Sequence, residues 1–333
     1  MITLAEVARH AGVSASTVSY VLSGKRSISP GTCERVERSI HELGYHAGAR
    51  ALAGGKSDVI ALVLPLRTDT YAPVTMETVL AVTTTARTYG YDVLLLTGDD
   101  GPAAVRRANA GALADAMILM DAEPADERLP LLRESDKPSV LIGLPADPTG
   151  LTCVDLDFTA TGALCAEHLA ALGHRDIALI TEPPAVHEHP TGSAGRTLHG
   201  LRAKSRELGL SVHHLSGGDG RTAMTDTLAH TFAEHPATTG FVVQHEPAVE
   251  PLLHSLRRLG RPVPEDISVI AICPDRVAFH SSVPLTSVAI PTPELGRRAV
   301  DRIIAELTGE GAADITLIPP ALTTRTTSGP APV

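Results

Sequence analysis

Cysteine is scarce: Cys33, Cys153, Cys165 and Cys273 stand far apart, and no CxxC pair occurs. That spacing supports neither a disulfide framework nor a zinc site, so buried thiols are expected. Long apolar runs are also missing, since none reaches the ~20 residues of a membrane-spanning helix. The opening MITLAEVARH carries Glu6 and Arg9 inside its apolar stretch, unlike a signal-peptide core, and a cytoplasmic protein is expected. Lysine occurs only at Lys25, Lys56, Lys137 and Lys204, so positive charge is almost all arginine, which we attribute to genomic base composition. No GxxxxGK[ST] or GxGxxG follows a strand-like run, and no nucleotide cofactor is expected. Nucleophile elbows and paired-carboxylate motifs are absent too, which argues against an enzyme. His187, His189, His199, His213 and His214 form no HExxH and no two-imidazole helix face, so a solvated loop is expected there and no metal.

What is present is an ordinary soluble chain of 333 residues, 43% hydrophobic and 20% charged, long enough for a small domain and a larger one. Its net charge of −10 is unevenly spread. Residues 1–56 hold seven Lys/Arg against four Asp/Glu, a net of +3, which leaves −13 for the rest. A basic head on an acidic body suits a head that meets phosphate.

The first 45 residues read as three short helices. Thr3 and Glu6 form a capping box, Leu4, Val7, Ala8 and Ala11 give an apolar stripe, and Gly12 ends the first helix. Ser14 caps a second helix carrying Thr17, Val18, Val21 and Leu22, which completes a helix-turn-helix. Ser29-Pro30 opens a third, running through Val36 and Ile40 to Leu43-Gly44. On the second helix Ala15, Ser16, Ser19 and Tyr20 are small or hydrogen-bonding, as a surface approaching base edges requires. Thr3, Ser14, Thr17, Lys25, Ser29 and Thr32, with amides at helix starts, are the candidate phosphate contacts.

The run TLAEVARHAGVSASTVSYVLSGKRSISPGTCERVERSIHELGYHAGARALA resembles the DNA-binding head and hinge of the LacI/GalR family of bacterial repressors. Tyr20 stands where that family usually has an arginine reading guanine. Residues 46–57, HAGARALAGGKS, are too short to hold a helix alone in water. The resemblance implies that this hinge folds on operator DNA and inserts a wedge into the minor groove, with Ala49 and Leu52 in contact and Leu52 as the wedge.

From Asp58 onward short apolar runs alternate with helical stretches: 59–66, 92–98, 115–121, 139–144, 176–182, 240–244 and 267–273 are expected strands, buried on both faces. Such alternation reads as doubly wound α/β with parallel sheets, here in two lobes around a cleft. The first lobe is expected at 58–155 plus 286–309, the second at 156–285 plus 310–333. The resemblance continues here as a periplasmic-binding-protein-like effector domain, carried by VDLDFTATGALCAEHLAALGHRDIALI, RPVPEDISVIAI and PLTSVAIPTPELGRRAVDRI. It implies a small-molecule effector, sugar-like or another polar metabolite, with Arg196 binding hydroxyls or a carboxylate and Phe158 stacking on a sugar face. His245, Glu246, Cys273 and Asp275, and in the first lobe Asp69 and Tyr71, are the other candidates. The tail lacks leucine heptads, so a homodimer is expected, reading a pseudo-palindromic duplex. The competing reading is a small-molecule-binding module without a DNA function.

Overall fold

The computed structural model describes residues 4–23, 28–43, 56–64, 72–98, 101–109, 113–122, 126–182, 192–217, 220–311 and 313–332. The head consists of α1 (Leu4–Ala11), α2 (Ala15–Ser23) and α3 (Pro30–Leu43). Gly12 takes φ +66° in the turn between the first two, where a side chain would be strained. Ser14 caps α2, its Oγ accepting from the Thr17 amide at 3.1 Å. Val7, Ala8, Ala11, Val18 and Val36 are buried together, with Leu4, Val13, Val21, Ile40 and Leu43 packed around them. The three valines contribute roughly 1.5–3 kcal/mol each by burial, a thin core for so small a unit.

The body begins with β1 (Val59–Val63), α4 (Ala72–Thr88), β2 (Asp92–Leu96), α5 (Gly101–Asn109), β3 (Ala116–Met120), α6 (Leu129–Arg133), β4 (Ser139–Ile142) and β5 (Thr152–Leu156). Next come α7 (Phe158–Ala171), β6 (Asp176–Thr181), α8 (Gly192–Leu208), β7 (Ser211–Ser216), α9 (Gly220–Glu234) and β8 (Gly240–Val243). The chain continues through α10 (Val249–Arg258), β9 (Ser268–Cys273), α11 (Asp275–His280) and β10 (Thr286–Ala289), then α12 (Thr292–Leu307), β11 (Ile315–Ile318) and β12 (Leu322–Thr323).

Two six-stranded sheets result, in the orders β11-β5-β4-β3-β1-β2 and β12-β10-β9-β8-β6-β7. Each is covered by helices on both sides, which is why the central strands lack a polar face. In β1, Ile60 and Leu62 join the core under α4 and α12, while Ala61 and Val63 join the opposite core with Ala104 and Val105 of α5. In β9, Val269 and Ala271 face α9 and α10, and Ile270 and Ile272 face α7. The expected two-lobed, doubly wound α/β architecture is therefore present, and mostly parallel. Among the described strands only β12 departs, running antiparallel to β10.

The late crossings differ from expectation. Strand β10, placed by sequence in the first lobe, pairs parallel with β9 in the second sheet, and β11, placed in the second, pairs parallel with β5 in the first. Helix α12 lies in the first lobe as expected, against α4. Both late strands are only four residues long, and so short a run does not say which sheet it will join. Strands β5, β7 and β12 were not expected either. The edge strand β7 is polar enough to read as loop because only part of it is covered.

Candidate functional site

The first candidate surface lies on the head. Helix α2 turns Val18 into the core, and the 3.6-residue period then leaves Ala15 and Ser16 exposed, Thr17 and Ser19 half-buried, and Tyr20 37% exposed. Ser14 Oγ lies 2.8 Å from both Ser16 Oγ and Thr17 Oγ1, so three hydroxyls gather at the amino end of the helix. Ser29 and Thr32 form a second hydroxyl pair at 2.8 Å where α3 starts. Helix amino ends present unpaired amides and partial positive charge, which suits phosphate oxygens. Helix α2 itself carries no charged residue. Thr3 and Lys25, and Ala49 and Leu52 of the hinge, lie outside the described residues.

The second candidate is the junction of the two lobes. At the carboxyl end of β5 stands Asp155, a carboxylate only 5% exposed inside a fully buried strand. Its Oδ2 accepts from Nη2 of Arg196, on α8 of the other lobe, at 2.5 Å. Arg196 Nε donates to the Gly192 carbonyl at 3.0 Å, and the guanidinium carbon lies 5.3 Å from the Phe158 ring centroid. Burial pushes the Asp155 carboxyl above the usual carboxylate range, and the facing Arg196 charge works against that without cancelling it. Two residues on, Asp157 caps α7, accepting from the Ala160 amide at 2.9 Å.

This geometry revises the expected roles. Phe158 is buried, and the Arg196 guanidinium lies over its ring. Asp155 was missed, although a signal existed: an acid within TCVDL, a fully buried strand, needs a cationic partner. Cys273 does not line an open site; it is 1% exposed among Val269, Ala271 and Phe241, and burial pushes its thiol up to about 12. Asp275, the first residue of α11, pairs with Arg325. That arginine also donates to the Leu285 carbonyl and Ser287 Oγ at 2.8 Å each, so the pair fastens the chain's last segment to β10. His245 and Glu246 follow β8 as expected, half-buried at its carboxyl end, with Glu246 opening a single 3-10 turn. Carboxyl ends of parallel strands are where ligands of open α/β sheets bind. Asp69 and Tyr71 lie outside the described residues.

A second contact joins the lobes. Glu77 of α4 accepts from Arg276 of α11 at 2.6 and 2.8 Å and from the Thr292 hydroxyl at 3.0 Å. Arg276 is 63% exposed, so solvent screens this pair more than Asp155 with Arg196.

The histidines resolve differently from a solvated loop. His213 and His214 lie on β7, the first 3.0 Å from Asp176 and stacked on His235 at 3.6 Å, the second 2.8 Å from Thr181 Oγ1. His199 lies on α8, and His187 and His189 lie outside the described residues. Among the described residues, no group of three or more His, Cys, Asp or Glu is placed to hold a metal ion. No helix of the described residues is long and apolar enough to cross a membrane. An open hollow of about 350 Å³ lies among Arg133, Lys137, Thr152 and Glu306, at the amino ends of β4 and β5 and away from the junction. Its lysine is spent on the Ala108 and Ala114 carbonyls at 2.6 and 2.8 Å.

Comparison with known proteins agrees with both halves of this architecture. Residues 3–47 match the model for bacterial regulatory proteins of the lacI family, and residues 166–328 match a periplasmic binding protein-like domain. The HTH-type transcriptional regulator CelR of Thermobifida fusca is 31% identical over 332 residues, 95% of each chain. The structure of a CelR–cellobiose complex superposes with a TM-score of 0.68 at 27% identity, covering 98% of this chain and 100% of the other. A lac repressor dimer bound to operator shares the fold, with a TM-score of 0.80 at 24% identity over 98% of this chain and 99% of its own. A helix-turn-helix head and a two-sheet effector-type body, matched over nearly the whole length by a regulator of the same build, place this chain in the LacI family of bacterial transcriptional regulators.

Proposed function

We propose that this regulator is a homodimeric repressor that binds a pseudo-palindromic operator through two heads and releases it when a neutral sugar occupies the lobe junction. The observation that carries the reading is the exposed, uncharged amino-terminal face of α2, flanked by hydroxyls and helix-start amides. Ser14, Thr17, Ser29 and Thr32, with Thr3 and Lys25, hold phosphates. Ala15, Ser16, Ser19 and Tyr20 face base edges, and Ala49 and Leu52 enter the minor groove. Ala15 and Ser16 cannot make bidentate base contacts, so direct readout is modest and Tyr20 dominates it, through its hydroxyl or by packing on a thymine methyl.

At the junction Arg196 binds the effector. Its fork has five donors, of which Nε and Nη2 are committed to Gly192 and Asp155. Sugar hydroxyls can meet the remaining donors while Asp155 keeps the fork oriented, and His245 and Glu246 supply polar contacts from the segment that follows β8. A sugar bridging β5 and α8 favours one angle between the lobes, and that preference is the coupling free energy that changes the heads' grip on DNA. In this reading the protein acts in the cytoplasm and catalyses nothing.

Selection of bound sites from random duplexes tests the proposal, followed by a screen of cellobiose, ribose and maltose for release. A recovered inverted repeat, bound with a steep salt dependence, supports it. Failure of the full-length chain to bind any duplex at low ionic strength sinks it.

A further inference from the structure

Where the chain passes from the joining segment into the body, one carboxylate holds it. Asp115 stands immediately before β3, and its Oδ1 accepts from the Ser57 amide and the Ser57 hydroxyl at 2.8 Å each. Its Oδ2 accepts from the Asp58 amide at 2.9 Å. Both oxygens are thus committed to two consecutive residues on the head side of β1, across 58 and 57 positions of sequence. Charge-assisted bonds of this kind are the stronger ones, and three on one carboxylate fix direction as well as distance.

The held backbone is an unusual one. Asp58 has φ +54°, the left-handed region that most residues with a Cβ avoid and aspartate enters only occasionally. Bonds on either side keep it there: the Asp58 carbonyl accepts from the Asp92 amide, and the Asp115 amide donates to the Val59 carbonyl, each at 2.8 Å. Lys137 places its charge beside Asp115 while its Nζ is tied to the Ala108 and Ala114 carbonyls. Burial does not explain this arrangement. The bond to Asp58 is solvent-exposed, so water could serve that amide equally well. What the carboxylate adds is a fixed starting point and heading for the chain that leads to the head.

We infer that Asp115 is a positioning residue for DNA recognition: by clamping Ser57 and Asp58 to the amino end of β3, it sets where the joining segment leaves each body, and so sets the half-site spacing that a dimer accepts. The inference rests on the regulator reading above. Two heads held at fixed points can engage only half-sites of matching separation, whereas a tether lengthened by released residues tolerates several.

The test uses full-length wild type, Asp115→Ala, Asp115→Asn and Ser57→Ala. The probes are the best duplex from the selection and the same duplex with one central base pair inserted or removed. Wild type is expected to lose about tenfold or more in affinity on the altered spacings. In Asp115→Ala that penalty shrinks to about twofold, because a loosened tether spans both separations. Ser57→Ala, which loses one bond of three, falls between, with a few-fold change. Amide exchange at Ser57 and Asp58 should accelerate in Asp115→Ala while the thermal midpoint of the body stays within about 3 °C, since these bonds are exposed or part-buried. Asp115→Asn keeps the shape and one acceptor oxygen, so it reports on the clamp if the alanine variant fails to fold.

An unchanged spacing penalty in both Asp115 variants overturns the inference, as does a wild type indifferent to spacing. Equal loss on all duplexes together with a fallen midpoint also overturns it, since Asp115 would then be supporting the lobe. If wild type binds no duplex at all, the regulator reading itself has failed, and that is visible before any variant is compared.

Discussion

Strand for strand, the two lobes repeat one winding: β1 to β5 with β11 in the first sheet follow the same order as β6 to β10 with β12 in the second. Both cross two helices where glycine removes a side chain. In the first lobe Gly296 of α12 lies against α4, and in the second Gly162 of α7 and Gly200 of α8 lie against each other's helices. The chemistry is not repeated. Between Ala47 and Glu167, and again after His280, the chain has no histidine, whereas twelve lie from His168 to His280. The first lobe therefore carries no histidine. The second holds imidazoles tied to its last segment: the buried His174 lies 3.2 Å from the Gly329 carbonyl oxygen, and the half-buried His168 meets Ser328 at 2.9 Å. A shared fold thus does not imply a shared response.

Four substitutions or conditions sharpen this contrast, and the largest effect concerns the glycines. A Cβ at Gly200 would lie 1.9 Å from the Thr159 carbonyl oxygen, and one at Gly162 2.1 Å from that of Thr197, both rigid backbone. Gly200→Ala should cost more than about 3 kcal/mol, measured by urea unfolding, whereas Gly296→Ala should cost about 1–3 kcal/mol. Its closest neighbour is the Ala81 Cβ at 2.6 Å, and equal costs would show that the two crossings are equivalent.

Next in size is Arg196→Ala, which removes the charge facing Asp155. The expected loss is roughly 1–3 kcal/mol, below that of a fully buried pair because the Arg196 side chain keeps 21% exposure. Burial already raises the Asp155 pKa, so the unpaired carboxylate is destabilising when ionised and harmless when protonated. The deficit should therefore shrink as the pH falls through the carboxylate range, as read from thermal midpoints. A deficit that is constant with pH would mean that lost packing on Phe158, and not charge, dominates.

Acid should then separate the lobes. Burial lowers the pKa of His168, His174 and His214 from the usual 6.5. Their stabilisation is present above that value and is lost as the pH falls from it towards the depressed native values, because unfolded imidazoles take up protons first. Hydrogen exchange compared at pH 7.5 and 5.5 should show lost protection in β6 to β9 and none in β1 to β4. Equal loss in both sheets would remove the contrast.

The smallest effect is expected at the exposed contact between the lobes. Glu77→Gln should change stability by less than ~1 kcal/mol, with the difference gone in about 1 M salt. A larger change would make Glu77 with Arg276 and Thr292 the stronger tie between the lobes.

Much of this molecule was legible in the order of its residues. Caps and turn glycines, Ser14, Gly12 and Ser29-Pro30, mark the head because they act within a few residues of themselves. Continuous apolar runs such as VIALV and SVIAIC mark central strands because parallel sheets bury both faces. Edge strands were harder, and β7 with its two histidines was read as loop because a half-covered strand need not be apolar. Of the junction residues, Arg196 was found by its motif and Asp155 was not, since its partner lies 41 residues away on a helix of the other lobe.

The sequence by itself determined the helix-turn-helix, the alternation of strand and helix, and the sign of charge on head and body, because each depends on neighbours along the chain. Tertiary structure alone decided which sheet β10 and β11 complete, that Phe158 carries Arg196, that Cys273 turns into the core, and that Asp115 grips Ser57 and Asp58. Those outcomes depend on groups brought together across tens of residues, where the geometry of packing selects among partners that local pattern leaves equivalent.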